Sequence, residues 1–379
     1  MNDLEVPAIG DSPFEKLRIV PMMEPTQLLK QALSPPLRTA ALPGTGGMIK
    51  SKPEDFRVNE MLLYPPTGSG DHLFVSVEKY DLSHRDLVHR IQNALEISER
   101  DIGWAGIKDK MAITRQTLSL PAACEDRLAE LEAPDLRILS TDRHEQKIRK
   151  GHHAGNQFTI TIREVADDGL DRAQAILEAL GSVGIANYYG QQRFSTDGHN
   201  IESGLHLLGL LAQGKRINRR FVNQLRLQAV QSALFNMVVA HRLETEILDC
   251  AIEGDLLKKR DTGGLFISED IAEETERIRA GTLAPTGPIF GKKMWAPEGK
   301  AHALEEAVVA SAGVDIASFQ AAGKMMKGTR RPVTVLPDDL EIRAGETTSE
   351  LVLQFVLPKG SYATVLLQEI QKNEPSAAS

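Results

Sequence analysis

The spacing of apolar residues in the first half of the chain predicts a mixture of helices and strands. Between residues 87 and 95, apolar side chains recur at the interval of a helix with one buried face. Apolar and polar residues alternate over 73–77, 114–120 and 158–162, which is the pattern of strands with one buried face. The segment between the helix and the strand at 114–120 is therefore predicted to be a connection.

The second half of the chain is predicted to be largely helical from residue 184 to about residue 335. Apolar residues at helical spacing predict helices over 201–211 and 227–241. Beyond this region, alternation over 351–355 predicts a strand, and 364–371 predicts a closing helix. The two ends of the chain therefore both contribute strands.

Residues 1 to about 45 are rich in proline and have little apolar periodicity, which predicts an extended or partly disordered arm. The first residues lack the basic and apolar regions of a signal peptide. No uninterrupted run of about 18 apolar residues, the length that crosses a bilayer, occurs in the sequence. We therefore expect neither secretion nor a membrane-spanning segment.

Composition indicates a globular protein of roughly two domains, because 379 residues with 41% apolar and 25% charged side chains can bury sizeable cores. Cys124 and Cys250 are too few and too far apart for a disulfide framework or a metal site. This cysteine usage suits a reducing cytoplasm. We expect a cytoplasmic protein with no bound metal.

The formal net charge of -8 argues weakly against a nucleic-acid partner, because phosphate binding is driven by cations. The distribution of charge matters more than its sum. Basic residues cluster at 143–150, 215–220 and 324–331, whereas acidic residues concentrate elsewhere, notably at 269–276 and 338–346. Such segregation is compatible with a basic groove on an acidic body. Ordinary surface charge scattered over helices is the alternative interpretation.

Asp109 is the strongest catalytic candidate, because it is a carboxylate on the connection before the strand at 114–120. Catalytic groups are often placed on connections that rigid neighbours hold. Lys108, Lys110 and Arg115 lie close in sequence, and nearby positive charge favours the ionised carboxylate that a nucleophile needs. A solvated charged turn is the alternative interpretation of the same residues.

The stretch Gly106–Gln116, GIKDKMAITRQ, closely resembles the signature GxKDxxAxTxQ of the TruD family of tRNA pseudouridine synthases, with Asp109 at the position of the catalytic aspartate. Five further blocks resemble the same family in the same order: PEDFRVNE at 53–60, GSGDH at 68–72, GNQF at 155–158, GIANYYGQQRFS at 184–195 and FVLPKGSYAT at 355–364. The chain departs from the family pattern in the block at 184–195 at three positions, where the family more often has proline, phenylalanine and glycine: Ala186, Tyr189 and Ser195.

The resemblance implies a role for particular residues around Asp109. It implies that the rings of Phe56, Phe158 and Tyr362 contact the target uracil. It also implies that the amide of Asn156 orients the base, and that Lys79 and Lys108 give electrostatic support. An amide suits this task because it is both a donor and an acceptor. Core packing is the alternative interpretation of the three aromatic residues.

The chemistry that the resemblance implies needs no cofactor. Uridine becomes pseudouridine when the bond from N1 to C1′ breaks and a bond from C5 to C1′ forms, so there is no redox change and no external group. Asp109 would attack C1′ or C6, or begin an elimination across the sugar, and the sequence leaves these routes open. The target base must leave its stack, and stacking on aromatic side chains offsets that cost.

The resemblance also implies a fold and a substrate. The fold class is α+β, with a mixed-sheet pseudouridine-synthase catalytic domain at 46–183 plus 336–379, an inserted α/β TRUD domain at 184–335 and the N-terminal arm at 1–45. The substrate is tRNA, with uridine 13 of the D arm as the target. No obligatory protein partner is evident from the sequence.

Two other functions fit parts of the sequence. A non-catalytic tRNA-binding or folding protein would need the same basic clusters but would tolerate the loss of Asp109. A carboxylate hydrolase that cleaves glycosidic bonds would need a second acid at a defined distance from Asp109, and no such partner stands out in the sequence.

Overall fold

A computed structural model describes residues 24–195, 198–218 and 220–373 of the chain. Its helices are α1 Pro25–Leu33, α2 His84–Leu95, α3 Gly169–Leu180, α4 His199–Ala212, α5 Phe221–Glu244, α6 Ile271–Arg279, α7 Gly299–Ser311, α8 Ile316–Ala321 and α9 Ala363–Gln371. Its strands are β1 Gly46–Met48, β2 Phe56–Leu62, β3 His72–Tyr80, β4 Gly103–Trp104, β5 Ile113–Pro121, β6 Leu136–His144, β7 His153–Val165, β8 Ile185–Ala186, β9 Leu256–Lys259, β10 Leu265–Ile267, β11 Leu283–Ile289, β12 Thr329–Pro332, β13 Thr334–Val335, β14 Asp338–Ala344 and β15 Glu350–Pro358.

Nine strands of the described chain form one large sheet in the order β14-β15-β7-β2-β5-β3-β6, with β1 paired to β7 and β4 to β5. β2 and β5 run parallel, whereas the other neighbouring strands are antiparallel. The sheet is therefore mixed, and the predicted α+β class is confirmed. The strands predicted at 73–77, 114–120, 158–162 and 351–355 lie within β3, β5, β7 and β15.

Among the described residues, two larger apolar cores and a small cluster around Phe74 cover the large sheet. One lies over β7 and β15, where Ile160 and Phe355 pack with Ile176 of α3 and Leu366 of α9. The other lies over β3 and β5 and includes the residues of α2 that the helical spacing predicted. The Ser83 hydroxyl caps α2 by accepting a hydrogen bond from the Asp86 N–H at 3.1 Å. The sequence pattern thus predicts this helix correctly because its buried face and its cap are both local.

The region from residue 184 to residue 335 builds a second, smaller sheet in the order β10-β9-β11-β12. α5 and α6 pack against this sheet, whereas α4, α7 and α8 belong to the apolar core that includes α5. β8 and β13 pair with each other, with Ile185 opposite Val335, so the chain leaves and returns at neighbouring points. Phe235 and Val239 of α5 also enter the core of the large sheet. The two parts therefore share apolar packing, while the boundaries at 184 and 335 stay a prediction.

A helix replaces part of the predicted N-terminal arm. α1 buries Leu28 and Ala32 in the core that surrounds α5, which corrects the expectation of an extended segment for 25–33. Pro25 stands at the start of the helix, where a proline is compatible with helical geometry. Residues 1–23 of the predicted arm lie outside the described residues. Within the described ranges, no helix is both long and apolar enough to cross a membrane.

Candidate active site

Asp109 lies on the connection between β4 and β5, in the position that the sequence pattern predicts. Its carboxylate is 45% exposed, and its main-chain oxygen accepts a hydrogen bond from Lys79 Nζ at 2.6 Å. The same ammonium donates to the Leu82 carbonyl oxygen at 2.7 Å. Lys79 is fully buried, and this burial lowers the pKa of its ammonium to about 8. A buried lysine at the end of β3 thus fixes the backbone beneath the exposed carboxylate.

Lys50 is the cation that contacts the Asp109 carboxylate, with its Nζ 2.7 Å from Asp109 Oδ2. It follows β1 and adopts a left-handed backbone conformation with φ of 57°. Its ammonium also lies 4.2 Å from the centre of the Phe56 ring, a distance at which a cation is attracted to the ring face. Sequence analysis missed Lys50, because the contact depends on the pairing of β1 with β7 and leaves no local signal.

Two of the three cations that neighbour Asp109 in sequence, Lys108 and Arg115, have other partners, which corrects for these two the expectation of positive charge beside the carboxylate. Lys108 is buried and forms an ion pair with Glu60 of β2. Arg115 donates to Glu78 Oε2 at 2.8 Å. A side chain at Gly106 would approach the Lys108 ammonium at 3.2 Å, so glycine leaves room for this ion pair. Lys108 therefore anchors the connection to β2.

Phe56 and Phe158 form an aromatic group with Phe355 inside the core of the large sheet. The Phe56 and Phe158 rings meet edge to face with 6.2 Å between centres, whereas Phe158 and Phe355 stack at 5.1 Å. Phe56 is 3% exposed and Phe158 is 8% exposed. Both residues thus act as core residues in this conformation, and their contact with a base stays a prediction.

Asn156 lies on β7 directly opposite Glu60 of β2 and Leu357 of β15. Its side-chain oxygen is buried, and no hydrogen bond to it is formed within the described residues. A buried acceptor without a partner costs free energy. A ligand that donates a hydrogen bond at this point would remove that cost.

Tyr362 belongs to a second aromatic group, at the start of α9. Its ring meets Tyr189 at 5.8 Å between centres, and the Arg331 guanidinium lies 4.3 Å from the centre of the Tyr189 ring. Burial raises the pKa of the Tyr362 hydroxyl. Gly190 allows this packing, because a side chain there would come within 3.1 Å of the Tyr362 ring. The second group joins the inserted region to α9.

Several cations of the predicted basic groove have structural partners. Arg330 is buried and donates to Glu305 Oε1 at 2.6 Å, and Arg331 donates to Asn187 Oδ1 at 2.6 Å. Arg143 forms an ion pair with Glu125. The expectation of a groove built from whole clusters is therefore corrected for these arginines. Arg219 lies outside the described residues. The other members of the clusters that are exposed are Arg149, Lys150, Lys215, Arg216, Arg220, Lys324 and Lys327.

Arg193, the arginine of the QQRF segment, also contacts protein groups. Its guanidinium donates to Ser232 Oγ and to Gln228 Oε1 of α5, both at 3.2 Å. These bonds fix the short turn at Gln191–Arg193 against the long helix. Across the ranges that the structure describes, no three histidine, cysteine, aspartate or glutamate side chains are grouped so that they could hold a metal ion.

Sequence comparison finds relatives that match most of this chain. A family model described as tRNA pseudouridine synthase D (TruD) matches residues 35–210 and 215–370. A tRNA pseudouridine synthase D from Anaeromyxobacter sp. (strain Fw109-5) is 41% identical over 340 residues, which cover 89% of this chain and 96% of the relative. The protein of that name from Thermus thermophilus is 39% identical over 340 residues, which cover 89% of this chain and 92% of the relative.

A crystal structure from Methanosarcina mazei has a similar fold. That protein is described as a candidate tRNA pseudouridine synthase D (TruD), and it superposes with a TM-score of 0.74 at 24% identity. The superposition covers 93% of this chain and 99% of that chain. The arrangement of the large sheet and the inserted region is thus shared with a solved structure.

Proposed function

Because the chain belongs to the tRNA pseudouridine synthase D (TruD) family of RNA isomerases, we propose that Asp109 is the nucleophile with which it converts uridine 13 of the tRNA D arm to pseudouridine. The observation that carries this proposal is the setting of Asp109. Its carboxylate is accessible, pairs with Lys50 and stands on a backbone that buried Lys79 holds. A nucleophile needs both access and a fixed position.

The charge that develops during the reaction fits the surroundings of Asp109. When the bond from N1 to C1′ breaks, the uracil ring gains negative charge and the sugar loses electrons. Asp109 takes part by bonding to C1′, by adding to C6 or by starting an elimination. In each route, Lys50 is placed beside the reacting groups, where a fixed ammonium stabilises developing negative charge. The bond from C5 to C1′ then forms, any bond to Asp109 breaks, and the proton lost from C5 is balanced by a proton gained at N1.

Asn156 is the proposed contact for the edge of the uracil. Its buried side-chain oxygen lacks a partner among the described residues, and the N3–H group of uracil is a donor that fits it. Phe56, Phe158 and Tyr362 are proposed to stack on the extruded base. Since Phe56 and Phe158 are buried in this conformation, their contact with the base requires the site to open.

The test maps pseudouridine on tRNA after incubation with the wild type, Asp109→Asn and Asp126→Asn, and measures tRNA binding for all three. Asp126 is an exposed aspartate on the short helical segment Ala122–Leu131, outside the connection that carries Asp109, so its variant is the matched control. We expect pseudouridine at position 13 with the wild type and the control. Asp109→Asn is expected to lose about 10³-fold or more in rate while it keeps its affinity for tRNA.

Other outcomes separate the parts of the proposal. Modification that survives in Asp109→Asn would show that another group is the nucleophile. Modification at a different uridine would remove the proposed position and leave the nucleophile in place. Binding by the wild type without any modification would favour the non-catalytic tRNA-binding alternative. Three statements stay predictions: the protein needs no obligatory protein partner, it needs no cofactor, and it is located in the cytoplasm.

A further inference from the structure

A pocket of about 320 Å³ lies between the end of β1, the turn at 191–193 and α9. Four glutamine side chains and two apolar side chains provide most of its lining: Gln191, Gln192, Gln368 and Gln371, with Ile49 and Leu367. We call it the glutamine pocket. Ile49 and the residues of α9 belong to the part of the chain that forms the large sheet, whereas Gln191 and Gln192 belong to the inserted region. The pocket therefore lies at the junction of these two parts.

The glutamine pocket is next to the candidate active site. Ile49, which lines it, precedes Lys50, and the Lys50 ammonium contacts the Asp109 carboxylate. Consecutive Cα atoms across a trans peptide are about 3.8 Å apart, and the left-handed conformation of Lys50 turns the chain between the two sites. Part of the lining of the pocket and the contact to Asp109 therefore come from consecutive residues of one segment.

The hydrogen-bonding groups of the pocket are partly committed and partly available. Gln191 Nε2 donates to the Leu33 carbonyl oxygen at 3.0 Å, and Gln371 Nε2 donates to the Gly47 carbonyl oxygen at 2.9 Å. These bonds orient two amides. In the part of the chain that the structure describes, no hydrogen bond uses the side-chain amides of Gln192 and Gln368, and the lining hydroxyl oxygen of Thr364 is buried without a partner.

This lining selects the chemistry of a ligand. Its side chains carry no formal charge, so the lining offers neither a phosphate nor a cation an opposite charge. Amides donate and accept in one plane, which suits the edge of a nucleobase, and apolar side chains suit its faces. The volume lies at the lower end of the range of about 300–1,000 Å³ for small-molecule sites, which suits one base.

We propose that the glutamine pocket binds an unpaired nucleobase of the substrate RNA that flanks the target uridine, with Gln192 and Gln368 reading its edge. This inference rests on the proposed function, because it takes RNA as the substrate. Gln191 and Gln371 are positioning residues for the pocket wall. The pocket thereby adds base specificity on one side of the reacting nucleotide.

The test uses short RNAs in which each nucleotide next to the target uridine is varied over all four bases. Initial rates give kcat/KM for the wild type, Gln192→Leu, Gln368→Leu and the double variant. In parallel, binding of the same RNAs is measured in an Asp109→Asn background with and without the two leucine substitutions. Gln320→Leu, an exposed glutamine on α8, is the matched control, and thermal unfolding confirms that each variant is folded.

We expect the wild type to prefer one base at one flanking position by about 5- to 150-fold, the range for a bidentate amide contact. The double variant should reduce this preference to within about threefold in both rate and binding, while Gln320→Leu keeps it. Equal treatment of all flanking bases by the wild type, or an unchanged preference in the double variant, overturns the proposal.

The two readouts separate the pocket from the proposed function. Pseudouridine formed at equal rates on every RNA overturns the pocket and leaves the function standing. A base preference in binding that the leucine substitutions remove supports the pocket even when no RNA is modified, in which case the proposed function fails by itself.

Discussion

Lys50 combines a strained backbone with two side-chain contacts at the candidate active site. A left-handed conformation at a residue with a side chain costs about 1–3 kcal/mol and persists where surrounding structure imposes it. Here it carries the ammonium to 2.7 Å from Asp109 Oδ2 and 4.2 Å from the centre of the Phe56 ring. At the scale of single residues, the strain is explained by the position it gives to this ammonium.

Lys50→Met should lower kcat by about 10²–10³-fold, the effect of removing one group that stabilises charge in a transition state, with a small change in tRNA affinity. Lys110→Met, which alters the exposed lysine next to Asp109 in sequence, should change kcat by less than about threefold. Steady-state kinetics on tRNA measure both. A larger loss in Lys110→Met than in Lys50→Met would restore the interpretation based on sequence neighbours.

Lys79 makes the stability depend on pH. Burial lowers its pKa from 10.5 to about 8, so between these pH values the unfolded chain binds more protons than the native protein. The contribution of this lysine to the free energy of unfolding therefore rises with pH across that window. At about 1.4 kcal/mol per pKa unit, the full rise is on the order of 3 kcal/mol.

Urea unfolding at several pH values between about 7 and 10 checks this linkage. The difference in free energy of unfolding between the wild type and Lys79→Met should grow in favour of the wild type as pH rises. A comparison with Lys110→Met, where the lysine is exposed, should give a difference that is independent of pH. A constant difference for Lys79→Met would mean that its pKa is not lowered.

Sequence analysis finds Asp109 but not its partner, and the reason is physical. The motif around Asp109 is contiguous, whereas Lys50 reaches it across 59 residues of sequence. The same holds for Lys108, whose buried partner Glu60 is 48 residues away. Short spacing in sequence predicts which charges are near each other only on a helix or a tight turn. Pairings set by strand register carry no such signal.

At the scale of elements, α1 shows how tertiary packing gives structure to a segment that reads as irregular. A helix of nine residues is marginal alone, but α1 buries Leu28 and Ala32 against α5. Its last residues also bond two other segments: the Leu33 carbonyl accepts from Gln191 of the QQRF segment, and the Ala32 carbonyl accepts from Asn236 of α5. The prolines on either side concealed this helix from pattern analysis, whereas α2 was predicted because its apolar residues recur at helical spacing.

Leu28→Ala should lower the free energy of unfolding by about 2–5 kcal/mol, because it leaves a cavity in the core around α5. Lys30→Ala, on the exposed side of the same helix, should change it by about 0.5 kcal/mol or less. Urea unfolding of both variants measures the difference. Equal and small effects would show that α1 is not docked in solution.

At the scale of the whole molecule, the net charge of -8 must be reconciled with a polyanionic substrate. The third basic cluster divides into two parts: Arg330 and Arg331 bond protein groups, whereas Lys324 and Lys327 are exposed. The family resemblance predicted the fold class and the tRNA partner, but it did not predict which cations of this cluster are exposed. Counting charges in the sequence located the cluster, but only side-chain packing separates the buried arginines from the exposed lysines.

A second pair of lysines extends this exposed set. The Lys293 N–H donates to the Lys327 carbonyl at 2.6 Å and the Lys292 N–H to the Met326 carbonyl at 3.1 Å, so backbone pairing brings the two segments together. Lys292 and Lys293 are exposed, and Trp295 beside them is 48% exposed. We define these four lysines, 292, 293, 324 and 327, as the lysine patch. Cations interleaved with an aromatic ring are typical of surfaces that bind RNA.

The lysine patch predicts how tRNA binding depends on salt. Log affinity falls linearly with log salt concentration, and each lysine that neutralises a phosphate makes this slope steeper by about 0.7–0.9. The triple variant K292A/K293A/K327A should therefore make the slope shallower by about 2 to 3 and weaken binding for all tRNA sequences alike. Arg277→Ala removes a cation from acidic α6, where Arg277 pairs with Glu273 at 3.9 Å, so the slope should stay within about 0.3 of the wild-type value. An equal fall in both variants would mean that the slope reports net charge, and that the patch has no special part in binding.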